Sequence, residues 1–176
     1  VAVGDLFERS AAIISPCGQY RYRLDRDGPG HGATAIIMVN PSTADAENDD
    51  ATIRKLRGFG ARHGWGRLIV GNLFAFRSTD VRALATAPDP IGHDNGYRLA
   101  EIFLDADRVI FAWGPTSKLP SRLRDRWREV DRLARAMHTE PMSLGEPAKD
   151  GHPCHPLMLP YSRQPQPWRR PDGPAD

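Results

Sequence analysis

Cysteine is scarce in this sequence: Cys17 and Cys154 are the only two in 176 residues. That is too few for a disulfide scaffold or a cysteine-only metal site, so a reducing cytoplasm is the expected setting. Long apolar runs are missing too, and no stretch is expected to span a bilayer. The first residues lack the charged start and apolar core of a secretory signal. Charge of one sign is not in excess, since 24 Lys and Arg against 22 Asp and Glu leave a net charge of +2. What is present is ordinary globular material, 40% hydrophobic and 26% charged, of a length that suits one domain with its own core. The basic residues are mostly Arg, whose planar guanidinium prefers phosphate-like anions, a mild pointer to an anionic partner.

The most informative stretch is Ile36-Ile37-Met38-Val39 followed by Asn40-Pro41-Ser42-Thr43-Ala44-Asp45. An apolar run that ends abruptly in polar residues reads as a buried strand of a parallel sheet. Open parallel sheets bind ligands just beyond the carboxyl ends of their strands. The pattern recurs at Leu68-Ile69-Val70-Gly71-Asn72 and at Val109-Ile110-Phe111-Ala112-Trp113-Gly114. Three such runs are expected to outline one cleft.

Around them, residues 19–24 alternate and predict a strand antiparallel to the one at 35–39. Asp49-Asp50 starts a helix with Ile53, Leu56, Gly60 and His63 on one face, and Gly64 stops it. Asp80 caps a short helix over 81–86, and Leu99, Ile102, Phe103 and Ala106 predict another helix. Leu119, Leu123, Trp127, Val130, Leu133 and Met137 predict a longer one. A short strand at 141–145 precedes a loop at 149–157. Strands alternating with helices predict an α/β fold, a three-layer α/β/α sandwich with a mainly parallel central sheet. A single domain is expected over 1–162, with 1–16 a short helix or arm and 163–176 a disordered tail rich in Pro, Gln and Arg.

Several residues have the right chemistry for a site. The Asn40 amide at a strand end can hold water or a carbonyl, and Pro41 stiffens the turn, although Asn-Pro is also common turn chemistry. Asp45, Glu47, Asp49 and Asp50 could serve as bases or ligands, or form a solvated helix start, with Asp45 the one placed to turn back into the cleft. Asn72 can pair with a base edge through donor and acceptor. Phe74, Phe76 and Arg77 suit a stacked base and a phosphate, unless both rings are core. His152 and His155 flank Pro153-Cys154 and could supply a proton or a positive charge. Their spacing matches no usual zinc motif, so no metal and no cofactor are expected. Trp113 can floor a pocket, Gly114 lets a ligand approach the backbone, and Ser42, Thr43, Ser117 and Lys118 could contact phosphate near helix starts.

Taken together, Asn40-Pro41-Ser42-Thr43-Ala44-Asp45, Asn72-Leu73-Phe74-Ala75-Phe76-Arg77, Ala112-Trp113-Gly114 and Gly151-His152-Pro153-Cys154-His155-Pro156-Leu157 resemble a bacterial family filed as a domain of unknown function. More remotely, the order of motifs is similar to the uracil-DNA glycosylase superfamily. That resemblance implies a parallel four-stranded sheet between helices and a hydrolase that releases a nucleobase, as in DNA repair. It implies that Asn40 positions the attacking water, that Asn72 reads the pyrimidine edge, and that a His-Pro motif, at His152 or His155, stabilises the departing base. The chain departs from the superfamily in that Ser42 replaces a glycine, the iron–sulfur cysteines of some branches are absent, and no clear apolar wedge follows the last motif. The leading expectation is a glycosylase-like hydrolase with a nucleic-acid or nucleotide partner. Asp45 would assist Asn40, and Pro41, Ser42, Thr43, Phe74, Phe76, Arg77, Trp113 and Gly114 would line the substrate site. The alternatives are a non-catalytic module that binds a modified base or nucleotide, and a metal-dependent hydrolase using Asp45, Asp49, His152 and His155.

Overall fold

A computed structural model describes residues 10–173. The chain forms β1 (Ser10–Ile14), β2 (Arg21–Asp27), β3 (His31–Met38), α1 (Ala51–His63), β4 (Trp65–Asn72), α2 (Asn95–Asp105), β5 (Arg108–Phe111), α3 (Arg126–Ala136), β6 (Met142–Leu144) and β7 (Pro165–Pro167), with short 3-10 turns between them. The fold is α/β. One sheet runs β1-β2-β4-β3-β5-β6-β7. Its centre is parallel, with β4, β3, β5 and β6 pointing the same way. Its edges are antiparallel, where β1 pairs β2, β2 pairs β4 and β7 pairs β6. The sheet is therefore mixed, with parallel pairing confined to the middle, rather than mainly parallel.

The apolar runs explain the centre. Successive residues of a strand face opposite sides, so a run without polar breaks is stable only where both faces are covered. On β3, Ala35 and Ile37 pack with Leu99, Ile102 and Phe103 of α2 and Trp127 and Val130 of α3. Ile36 and Met38 pack with Ile53, Leu56 and Phe59 of α1 on the other side. Helix α1 starts where Asp50 accepts from the Ile53 amide and ends at Gly64, whose φ of 70° only glycine adopts without strain.

Four local expectations are corrected. Strand β2 runs opposite to β3 but is not its neighbour, because β4 lies between them and β5 takes the other edge of β3. The arm expected at 1–16 is a strand from Ser10 to Ile14, an apolar run too short for its period to distinguish helix from strand; residues 1–9 lie outside the described residues. The long helix begins only at Arg126, because Pro120 forces Leu119 to be extended. Leu119, from the extended link after one 3-10 turn, and Leu123, from the next turn, still reach the same core.

The tail is the fourth case. Residues 165–167 add an edge strand to β6, a place where proline is tolerated because only one side of the strand must pair. Trp168 is then buried at 3% exposure, 5.4 Å from the Phe111 ring, 5.6 Å from Trp113 and 5.8 Å from Trp127. Its indole N–H donates to the Gly151 carbonyl at 3.0 Å. Trp168→Ala is expected to cost about 3–5 kcal/mol of stability, read by urea denaturation. A loss under about 1 kcal/mol, the range of surface substitutions, would show that this segment does not belong to the core.

Candidate functional site

The carboxyl ends of β3, β4 and β5 open into a cleft of about 670 Å³, within the range of sites for small molecules. Asn40, Ser42, Asn72, Trp113 and His155 line it together. Arg21, Asp50, Ser78, Asp80, Arg82 and Lys118 complete its polar wall.

Asn40 follows β3, and its amide orientation is set by two backbone acceptors. Nδ2 donates to the Ser78 carbonyl at 2.9 Å and to the Pro41 carbonyl at 3.2 Å. The Ser78 amide returns a bond to the Pro41 carbonyl at 2.9 Å, so the loops after β3 and β4 are fastened to each other. With both donors spent, the group Asn40 can offer a ligand is the acceptor Oδ1.

Asn72 ends β4 at 2% exposure. Its backbone is held by the buried Asn95 side chain, which donates to the carbonyls of Asn72 at 3.2 Å and Leu73 at 3.0 Å. Its own Nδ2 is buried and has no acceptor. A buried donor left unpaired costs about 1–3 kcal/mol, which a ligand carbonyl would recover.

His155 reaches the cleft from the loop after β6. Gly114 makes that approach possible: at a φ of 77°, its missing Cβ would stand 3.3 Å from His155 Cβ. The Gly114 amide donates to the Pro153 carbonyl at 2.9 Å. On the His155 ring, Nδ1 accepts from the Leu157 amide at 3.2 Å, so the neutral ring carries its proton on Nε2. Burial first, then the Lys118 charge, lowers the pKa of His155, and Asp50 opposes them.

His152 does different work, outside the cleft. Its Nδ1 accepts from the Trp113 indole at 3.3 Å, and its Nε2 bonds Thr116 Oγ1 at 3.1 Å. The ring meets Trp127 edge-on at 5.3 Å, and burial lowers its pKa. It holds Trp113, which packs at 4.5 Å from Phe111 and forms part of the cleft wall.

The remaining expected residues divide. Pro41 is buried, and its carbonyl ties the two loops. Thr43, Phe76 and Arg77 line a shallower hollow of about 440 Å³ that shares Ser42, Ser78 and Thr79 with the cleft. Arg77 donates to the Gly18 carbonyl at 3.2 Å, and Phe76 meets Tyr20 edge-on at 5.8 Å. Phe74 is fully buried in the core and offers no stacking face. Asp45 turns away: its Oδ1 accepts from the amides of Glu47 and Asn48, both at 2.9 Å, which lower its pKa. Asp49 is taken by Arg26 at 2.8 Å and Arg57 at 3.1 Å. Asp45, Asp49, His152 and His155 are therefore not assembled, and no cluster of three or more His, Cys, Asp or Glu among the described residues could hold a metal ion.

Arg21 is a cleft residue that sequence reasoning did not single out, and Asp50 was named there only within the acidic cluster at a helix start. Arg21 alternates with Tyr20 and Tyr22 in a strand pattern that does not show which face meets the cleft. Asp50 reads as a helix cap, which it is; its placement in the cleft follows from α1 starting at the sheet's carboxyl edge.

The chain belongs to the family described as "Protein of unknown function (DUF1643)", whose family model matches residues 21–157. That span runs from Arg21 in β2 to Leu157, beside His155, and includes every residue of the cleft. No curated protein and no solved structure matches the chain. No helix among the described residues is long and apolar enough to cross a membrane.

Proposed function

We propose that this member of the family is a glycosylase-like hydrolase that binds a nucleobase in the cleft and cleaves its bond to the sugar, on a three-layer fold of the uracil-DNA glycosylase kind. The observation that carries the reading is the convergence of Asn40, Asn72 and His155 on one cleft, with the buried Asn72 amide lacking an acceptor. The four parallel strands at the centre of the sheet, with α1 on one face and α2 and α3 on the other, agree with the architecture that the resemblance implies.

In this reading Asn72 Nδ2 donates to a carbonyl of the extruded base. Asn40 Oδ1 accepts from a water molecule and holds it against C1′ of the sugar. As the C1′–N bond breaks, its electron pair goes to the base, and His155 Nε2–H donates to the anion that forms, a preorganised electrostatic contribution. The water oxygen bonds to C1′ and gives up a proton. Asp45 is not in the cleft to take it, whereas Asp50 is. Trp113 forms an apolar wall. Leu157, which ends the last motif, and Met158, which follows it, stand 39% and 89% exposed, and in this reading these apolar side chains fill the gap left by a flipped base.

The test is release of free base, followed by chromatography, from single-stranded and duplex oligonucleotides carrying uracil, hypoxanthine, xanthine or a thymine mismatch. Unpaired and damaged bases cost least to extrude, so release is expected first from these. Binding without release across the whole panel would replace the enzyme with a non-catalytic module for a modified base.

A further inference from the structure

Strand β2 carries four buried charged residues: Arg21, Arg23, Asp25 and Arg26. Three are neutralised within the fold. Arg23 pairs with Asp25 at 2.8 Å and Asp105 at 2.6 Å, Asp25 also receives Arg67 at 2.7 Å, and Arg26 pairs with Asp49 at 2.8 Å. Arg21, at 3% exposure, has no ion-pair partner among the described residues. Its Nη1 donates to the Ala44 carbonyl at 2.6 Å, while its Nε is buried with no acceptor. A buried charge is normally paired, because desolvation penalises it heavily. Arg21 lines the cleft, beside the hydroxyls of Ser42 and Ser78. Of the two carboxylates of the same wall, Asp80 pairs with Arg82 at 2.9 Å, and Asp50, which caps α1 through the Ile53 amide at 2.9 Å, favours the Arg21 charge through space without bonding to it.

We propose that Arg21 is the anion-holding residue of the cleft and that the substrate unit is a phosphate-bearing nucleotide rather than a bare base or nucleoside. The side edge of its guanidinium, Nε with Nη2, is unused within the fold and suits two phosphoryl oxygens. The phosphate is that of a free nucleotide or of a strand; the chemistry at Arg21 is the same. The nucleotide assignment rests on the nucleobase reading above, whereas the anion site does not.

The experiment is calorimetric titration of the full chain with deoxyuridine, its 5′-monophosphate, a trinucleotide containing it, a sugar phosphate without a base, and inorganic phosphate. The monophosphate or the trinucleotide is expected to bind about tenfold or more tighter than the nucleoside, in line with a charge-assisted hydrogen-bonded pair. Tight binding of the trinucleotide alone assigns the phosphate to a strand. Inorganic phosphate is expected to compete. In Arg21→Met the preference should fall to within about twofold, with the melting temperature unchanged or higher, because an uncompensated buried charge has gone. Arg21→Lys keeps the charge and loses the fork, and should lose most of the preference even if Arg21→Met does not fold. Sugar phosphate binding as tightly as the nucleotide, and depending on Arg21, would remove the base site and leave the anion site standing. Equal affinity for nucleoside and phosphorylated ligands, or a preference that survives in either folded variant, overturns the proposal.

Discussion

Asn40→Ala is expected to slow base release by about a hundredfold to a thousandfold, the loss seen when one preorganised polar group of a transition state is removed. Substrate affinity should change by less than about twofold. The two effects separate because a group that holds the attacking water acts when the C1′ bond is made and contributes little to holding the ground state. The side chain is well suited to this. Its donors are fixed by the carbonyls of Pro41 and Ser78, so Oδ1 is held in place before the substrate arrives. Single-turnover release measured beside equilibrium binding reads both effects. A variant that binds tenfold more weakly and cleaves at the normal rate would make Asn40 a binding residue and discard the mechanism.

His155→Ala is expected to lower the release rate by about a hundredfold to a thousandfold, the loss when one preorganised donor to a developing anion is removed. Its pH profile carries the sharper information. The working ring is neutral, with Nδ1 accepting from the Leu157 amide and the proton on Nε2. Burial and the nearby Lys118 charge push its pKa down, so the neutral form persists below the usual histidine value of about 6.5. Protonation at lower pH would add a hydrogen to Nδ1 and break the bond to Leu157. The wild-type rate is therefore expected to be level above about pH 6.5 and to fall only at more acid pH, as the depressed pKa is crossed. The acid limb should vanish in His155→Ala. A wild-type rate that rises as pH falls would mean that the imidazolium is the working form.

The same two histidines show where sequence alone stops. Both precede proline in one loop, and nothing local separates them. The choice is made by tertiary docking: His152 meets the Trp113 indole and Thr116, and His155 meets the cleft. Asp45 and Asp50 divide in a similar way, one closing its own turn and the other capping a helix that starts at the sheet's edge. What was legible followed from strong local signals. The apolar runs ending at Asn40, Asn72 and Trp113 placed three strands and three cleft residues, because a strand covered on both faces admits few polar side chains. Asp50 and Gly64 bounded α1 through cap chemistry. Sheet order was not legible: the strand at 19–24 was expected antiparallel to the one at 35–39, which its direction bears out, but nothing local showed that β4 lies between them or that Arg21 is buried in the cleft wall. Trp168 was hidden by its setting among prolines, where composition suggests disorder and only pairing with β6 gives order.

The most direct test of the central claim is base release run with and without borohydride, scoring free base, abasic product and any protein–sugar adduct together. Attack by water at C1′ predicts free base and abasic product in equal amounts, with no adduct trapped by borohydride. A trapped adduct lost in Lys118→Ala would put the cleft's amine, in place of water, on C1′, and no release from any substrate of the panel would leave the cleft a binding site; either result contradicts hydrolysis by water at C1′.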